Sequence, residues 1–223
     1  VEELMERICD LLEEFAEIRI DDAEQLVGGT VGKRYEAWVL ANVIEELVDT
    51  ENFRVVHVFG QNGILCLKGS PGRINPNYPR FDVYRNGERE PCATLWTDVE
   101  FAGISYIDGR TNGEYHELDI VMCDYGADGY PRNTQIWLGI ECKCRGSSPK
   151  GMLREILGVR RELSFSGNEN DTNFTNWPCD TVPADPASCL LFYSIDEKPS
   201  NDWIVPGVTF GVQFVHLSLE DEE

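Results

Sequence analysis

Met5, Ile8, Leu12 and Phe15 recur at helical spacing with glutamates between them, which predicts an amphipathic helix over residues 2 to 17. Gly28 and Gly29 break the chain. Glu36, Val39, Leu40, Val43 and Leu47 then follow the i, i+3, i+4, i+7 rule, so a second helix is expected from about Thr30 to Leu47 with Glu36 on its apolar side. Strand-like segments come next, at 53 to 60, 80 to 85, 92 to 106 and 114 to 124, separated by turn clusters such as GSPGRINPNYP and RNGE. They imply an antiparallel sheet region. Asn86-Gly87 between PRFDVY and REPCATLW is its best hairpin signal.

Residues 135 to 144 form another strand, and Ser148-Pro149 marks a helix start that runs to about Phe165. Met152, Ile156, Val159 and Leu163 give that helix a buried stripe, leaving Lys150, Arg154 and Arg161 on or near its open side. Residues 166 to 187, rich in Asn, Asp, Pro and Ser, read as a long loop, and strands at 189 to 195 and 208 to 219 close the chain. The order helix, strands, helix, strands indicates an α/β or α+β sandwich around a mixed sheet.

A length of 223 residues allows one domain with a sizeable core. That domain is expected to hold an acidic N-terminal helix in 1–27, a core in 30–195, and a C-terminal strand with an acidic tail in 196–223. The apolar runs LDIVMC and CLLFY are too short to span a bilayer and no signal-peptide pattern opens the chain, so a cytoplasmic protein with no membrane partner is expected. Eight cysteines, most in apolar strand-like contexts, read as reduced thiols.

The formal charge of −21 argues against nucleic acid at first sight. Its distribution softens that objection, because the two ends supply −8 and −6 while residues 141 to 165 carry a local +3. Lys143, Arg145, Lys150, Arg154, Arg160 and Arg161 make this the one phosphate-facing stretch, together with Arg73, Arg80, Arg85 and Arg89. A solvated helix face is the plainer reading of the same charges.

In LDIVMC every residue except Asp119 is apolar, which suggests a central strand covered on both faces. A lone carboxylate there needs a partner or a metal. In IWLGIECKC, strict alternation points Ile136, Leu138, Ile140, Cys142 and Cys144 one way and Trp137, Gly139, Glu141 and Lys143 the other. Glu141 and Lys143 could be a structural ion pair, yet two strands and one helix each bring an acid out of an apolar context. Three acids converging beside a lysine suit Mg²⁺ or Mn²⁺, since these are hard oxygen ligands.

With Glu36 in GKRYEAWVLANVIEEL, Asp119 in HELDIVMCD, Glu141 to Lys143 in GIECKCR and a helix following, the chain resembles the PD-(D/E)XK nuclease superfamily over about residues 30 to 195. Leu118 stands where the eponymous proline would be, and the spacing from Asp119 to Glu141 is long. The resemblance implies a restriction-endonuclease-like mixed central sheet flanked by helices, with an inserted β-hairpin region. It implies that Asp119 and Glu141 ligate the metal, that Glu36 binds a second metal or a water in its shell, and that Lys143 orients the attacking water and stabilises charge on the phosphate. The implied activity is Mg²⁺- or Mn²⁺-dependent hydrolysis of phosphodiester bonds in nucleic acid, DNA first, in restriction or defence. Lys150, Arg154, Arg161 and Arg145 would then contact the nucleic acid, and a homodimer or larger protein assembly is left open. The rival reading, favoured by the strong negative charge, is a catalytically inactive domain of the same fold serving as an interaction or scaffold module.

Other signals are weaker. GGTVGKR at 28 to 34 lacks the spacing and the preceding strand of a phosphate-binding loop. Cys142 and Cys144 are expected in the core rather than on zinc, Trp96, Trp137 and Trp203 likewise in the core, and Glu117 and Asp124 compete with Asp119 as ligands.

Overall fold

The computed structural model describes residues 2–16, 30–60, 70–106, 115–144, 149–195 and 201–219. Helix α1 (Glu2–Ala16) is amphipathic as its stripe predicts, with Ile8 and Leu12 buried. Helix α2 (Val31–Asp49) begins at Thr30, whose hydroxyl accepts the Lys33 N–H at 3.5 Å and so satisfies one of the donors that a helix start leaves over. Strands β1 (Phe53–Val58), β2 (Arg80–Arg85), β3 (Ala93–Ala102), β4 (Tyr115–Asp124) and β5 (Ile136–Lys143) form an antiparallel meander. After α3 (Pro149–Leu163), strand β8 (Cys189–Ser194) pairs parallel with β5, and β9 (Val212–His216) parallel with β8. The result is a seven-stranded mixed sheet in the order β1-β2-β3-β4-β5-β8-β9, with β4 at its centre. This is the mixed α/β arrangement, a central mixed sheet flanked by helices, that the sequence predicts.

Helices α1 and α2 cover one face. Tyr35, Leu40, Ile44 and Leu47 of α2 pack there on Val83, Leu95, Ile120, Met122 and Ile140. On the other face, Met152, Ile156 and Leu163 of α3 and Trp203 of α4 (Asn201–Phe210) meet Trp96, Val121 and Phe192. Each fully buried aliphatic or aromatic side chain contributes about 1.5–3 kcal/mol relative to exposure, so the two layers clamp β4 and β5 firmly. Gly139 is part of that fit: a Cβ on it would stand 2.7 Å from Leu118 Cδ1 and 3.4 Å from Leu190 Cδ1, so any larger residue would have to push Leu118 aside. Trp96, Trp137, Trp203 and Cys142 are all buried, as expected. Among the described residues no helix is long and apolar enough to cross a membrane.

Three local expectations are corrected. The segment from 166 to 187 is not a long loop, because β6 (Phe165–Asp171) and β7 (Thr181–Asp185) pair there as an antiparallel hairpin. Every residue of β6 is exposed, so no apolar alternation could announce it. The strand expected over 208 to 219 is confined to β9, and α4 occupies 201 to 210; the β-branched residues Ile204, Val205, Val208 and Thr209 with Pro206 conceal a helix. Strict alternation in β5 also fails. The β4–β5 register shifts between Met122 and Cys123, whose partners are Leu138 and Ile136, so the intervening Trp137 is extra. Ile136 therefore turns toward the α3 layer, while Trp137 joins Leu138 and Ile140 in the α2 layer and donates to Asp124 Oδ1 at 2.7 Å.

Candidate acidic metal site

The ladder between β3 and β4 pairs Thr97 with Ile120 and Val99 with Leu118, which leaves Asp98 opposite Asp119 where the pairing skips. Both strands lose their alternation at that point. Ile120 belongs to the α2-side core, yet Leu118 and Val99 belong to the α3-side core. Asp98 takes a φ of 50°, a left-handed conformation that Asp tolerates better than most residues. Such a kink re-aims side chains out of the regular pleat. The β4–β5 register, 120 opposite 140, carried one residue on, sets Asp119 opposite Glu141. Asp119 Oδ2 accepts the Cys142 backbone N–H at 2.6 Å, taking over a donor where the ladder ends.

Helix α2 delivers Glu36 to the same spot. Carboxylate oxygens of Glu36, Asp98 and Asp119 lie within 4.8 Å of one another. Lys33, one helical turn before Glu36, donates from Nζ to Glu36 Oε2 at 2.6 Å and to the two Asp98 oxygens at 2.6 and 2.7 Å. Asp98 is only 1% exposed, and that ammonium offsets part of the cost of burying its carboxylate. On the neighbouring strand Lys143 Nζ lies 3.2 Å from Glu141 Oε2 and 3.2 Å from Glu155 Oε1 of α3.

The electrostatics agree with the crowding of acids. Burial pushes the Glu36 carboxyl up to about 7, with the charges of Asp119 and Asp98 adding to it against Lys33. Burial, then the Asp119 charge, pushes Glu141 up to about 8. Asp119 is raised by burial despite its bond from Cys142, and Glu117 is raised by partial desolvation of its carboxyl and then by Asp119. Burial works to lower both lysines. Hydrogen bonds and charges from Asp98 and Glu36 outweigh it at Lys33, and Glu141 and Glu155 outweigh it at Lys143, so both stay above their ordinary value and cationic at neutral pH. A group of crowded, buried acids that draws in an ammonium is one that a divalent cation would relieve. Oxygens sharing one Mg²⁺ at 2.0–2.1 Å lie at most about 4.2 Å apart, so a small closing movement of three carboxylates spread over 4.8 Å would suit such an ion.

Of the sequence-derived set, Glu36 and Asp119 come together, and Glu141 and Lys143 stand beside them as a bonded pair. Asp98 and Lys33 were missed. Asp98 lies in TLWTDVEF beside Thr97 and Glu100, so it does not stand out from an apolar run as Asp119 does, and no family motif draws the eye to it. Asp124 is engaged by Trp137 instead. Lys150, Arg154 and Arg161 are exposed on α3, and their spacing of four and eleven residues sets them along one helical face. Arg145 lies outside the described residues. Arg160, counted in the basic stretch, is corrected: it is 3% exposed and bonded to Ser164 and Ser188.

No family model matches the chain, and no curated protein matches it. Solved structures similar to it include NucC of P. aeruginosa ATCC27853 in a cAAA-bound form, at 11% identity and a TM-score of 0.34, over 96% of this chain and 75% of that one. NucC of E. coli MS115-1, also cAAA-bound, stands at 12% identity and 0.33, with the same coverage of both chains. At such distance the likeness bears on neither the site nor the chemistry.

Proposed function

We propose that the chain is a metal-dependent nuclease of the PD-(D/E)XK kind that hydrolyses phosphodiester bonds of DNA, in defence against foreign DNA. The observation that carries this reading is the approach of Glu36, Asp98 and Asp119 to within 4.8 Å, from one helix and two strands, beside the Glu141–Lys143 pair. Glu36, Asp98 and Asp119 would hold Mg²⁺ or Mn²⁺, with Glu141 at the flank. When bound, the metal would polarise a phosphoryl oxygen and supply a nucleophile at neutral pH.

The chain's own residues divide the remaining work. Lys143 stays an ammonium, so it stabilises negative charge on the phosphate and orients the water rather than taking a proton. Glu141, pushed up to about 8, is suited to hold or release a proton near neutral pH at its carboxylate oxygen. Lys150, Arg154 and Arg161 offer a cationic line for the DNA backbone, against the charge of the rest of the chain.

The test is incubation of the chain with linear, circular and single-stranded DNA, with and without Mn²⁺, beside Lys143→Ala. Metal-dependent cleavage lost in the variant is expected. Equal cleavage by both proteins would identify a contaminant. No cleavage together with no metal binding would favour the scaffold reading, in which Lys33 is the permanent counter-charge of the acids.

A further inference from the structure

The described cysteines are free thiols, and only Cys179 and Cys189 among them are in sulfur–sulfur contact, at 3.4 Å. Cys189 opens β8 and is 1% exposed, while Cys179 is half-buried in the segment joining β6 to β7. That segment is held in place: the Glu51 carboxylate accepts the backbone N–H groups of Thr175, Asn176 and Trp177, and Thr172 Oγ donates to the Cys179 carbonyl at 2.6 Å. The contact therefore belongs to a fixed arrangement. Both thiols line a cleft of about 550 Å³ walled by β7, α4 and β9, wide enough for a small thiol or disulfide.

Behind them lies Arg160 of α3. Its guanidinium donates to the Ser188 carbonyl at 2.6 Å, to Ser188 Oγ at 3.0 Å and to Ser164 Oγ, all neutral acceptors, and its Nε has no partner among the described residues. A cation buried without a carboxylate is costly. The ionisable groups whose charge bears on it are Cys189 and Cys179. Contact with Cys189 brings the Cys179 thiol below its ordinary range, though burial, Asp180 and Glu169 oppose this, and the same contact holds Cys189 above its own.

We infer that Cys179 and Cys189 form a redox-active dithiol that closes to an intrachain disulfide, with Cys179 as the thiol that reacts first and Arg160 as the cation beside its thiolate. The oxidant is a low-molecular-weight disulfide of the glutathione class. The Cys179 thiolate attacks one of its sulfurs, forming a mixed disulfide and expelling one small thiolate. Cys189 then gives its proton to water and attacks Cys179 Sγ; the mixed S–S bond breaks and the second small thiolate leaves. Two electrons pass from the protein dithiol to the small disulfide, which ends as two thiols. The sulfurs must close by about 1.4 Å to reach bonding distance, which side-chain rotation can supply.

The test exposes the full chain to graded ratios of oxidised to reduced glutathione, traps free thiols by alkylation and maps peptides by mass spectrometry. A linked 179–189 peptide should form before any other pair, with two of the eight thiols lost and both recovered with dithiothreitol. Cys189→Ser should stop at a lasting mixed disulfide on Cys179, and Cys179→Ser should form neither product. Arg160→Met should slow closure about tenfold, the effect of one pKa unit on the thiolate population, while Arg160→Lys keeps the rate, with circular dichroism confirming that both fold. A different pair closing first, or no glutathione on Cys179 in the Cys189→Ser chain, would overturn the assignment.

Discussion

Lys33→Met removes the ammonium from the acidic cluster while keeping an unbranched stem of similar reach. The Lys33 side chain is 22% exposed and that of Asp98 only 2%, so the variant takes a 2.6 Å ion pair from a buried carboxylate and weakens the setting of Glu36. Charges about 3 Å apart at an effective dielectric of 20 attract by about 5 kcal/mol before desolvation is subtracted, and breaking a buried pair from one side costs about 3–5 kcal/mol. The partial exposure of the lysine brings the expected loss to about 2–4 kcal/mol. Because Lys33 sits above its ordinary value of 10.5, its contribution is fully present at pH 7.5 and fades only as pH rises above that value.

Urea denaturation in EDTA should show this loss as a lower midpoint at unchanged slope. Asp98→Asn, which keeps a residue tolerant of positive φ, should recover most of it in the Lys33→Met background, a coupling that a double-mutant cycle measures. Mg²⁺ or Mn²⁺ at about 100 times its dissociation constant should add about 2.7 kcal/mol, and should bind the variant more tightly than the parent because no ammonium competes. A loss under about 0.5 kcal/mol, or no coupling to Asp98, would refute the claim that the ammonium holds these acids together.

Raised carboxylates stabilise the fold below their unfolded value and lose that contribution as pH climbs through the folded one. With Glu36 at about 7 and Glu141 at about 8, the metal-free chain should lose stability from pH 5 to 8.5 relative to Glu36→Gln and Glu141→Gln, measured as the difference in melting temperature; parallel profiles would contradict it. Lys143→Ala should reduce cleavage about 10²–10³-fold while calorimetric metal affinity changes only a few-fold, and a collapse of metal binding would mean that the lysine holds the site instead. Gly139→Ala drives a methyl to 2.7 Å from Leu118 Cδ1 in a closed core, so thermal unfolding should report a loss of about 1–3 kcal/mol, and a neutral result would show that Leu118 has room to yield.

Much of the scaffold is local and so was legible in the sequence. The α2 stripe and the apolar runs of β4, β5 and β8 are written at 3.6 or two-residue periods, and Asp119 and Glu141 stand out because each interrupts one. Elements without a burial pattern were not legible. The β6 strand exposes every residue, and α4 is built from residues that favour strands but is held by Trp203 against Phe192 and Phe214. Side-chain direction was the other blind spot, because one extra residue in β5 sends Trp137 to the opposite core and one positive φ in β3 carries Asp98 into the acid cluster. The chain's own pattern thus determined which residues could not be ordinary core, whereas strand register, a kink and the packing of α2 on the sheet decided which of them meet. Periodicity is a property of neighbours in sequence; convergence of Lys33, Glu36, Asp98 and Asp119 depends on pairs such as Lys33–Asp98, 65 residues apart, and on still longer-range approaches, and on backbone irregularities that only the assembled sheet stabilises.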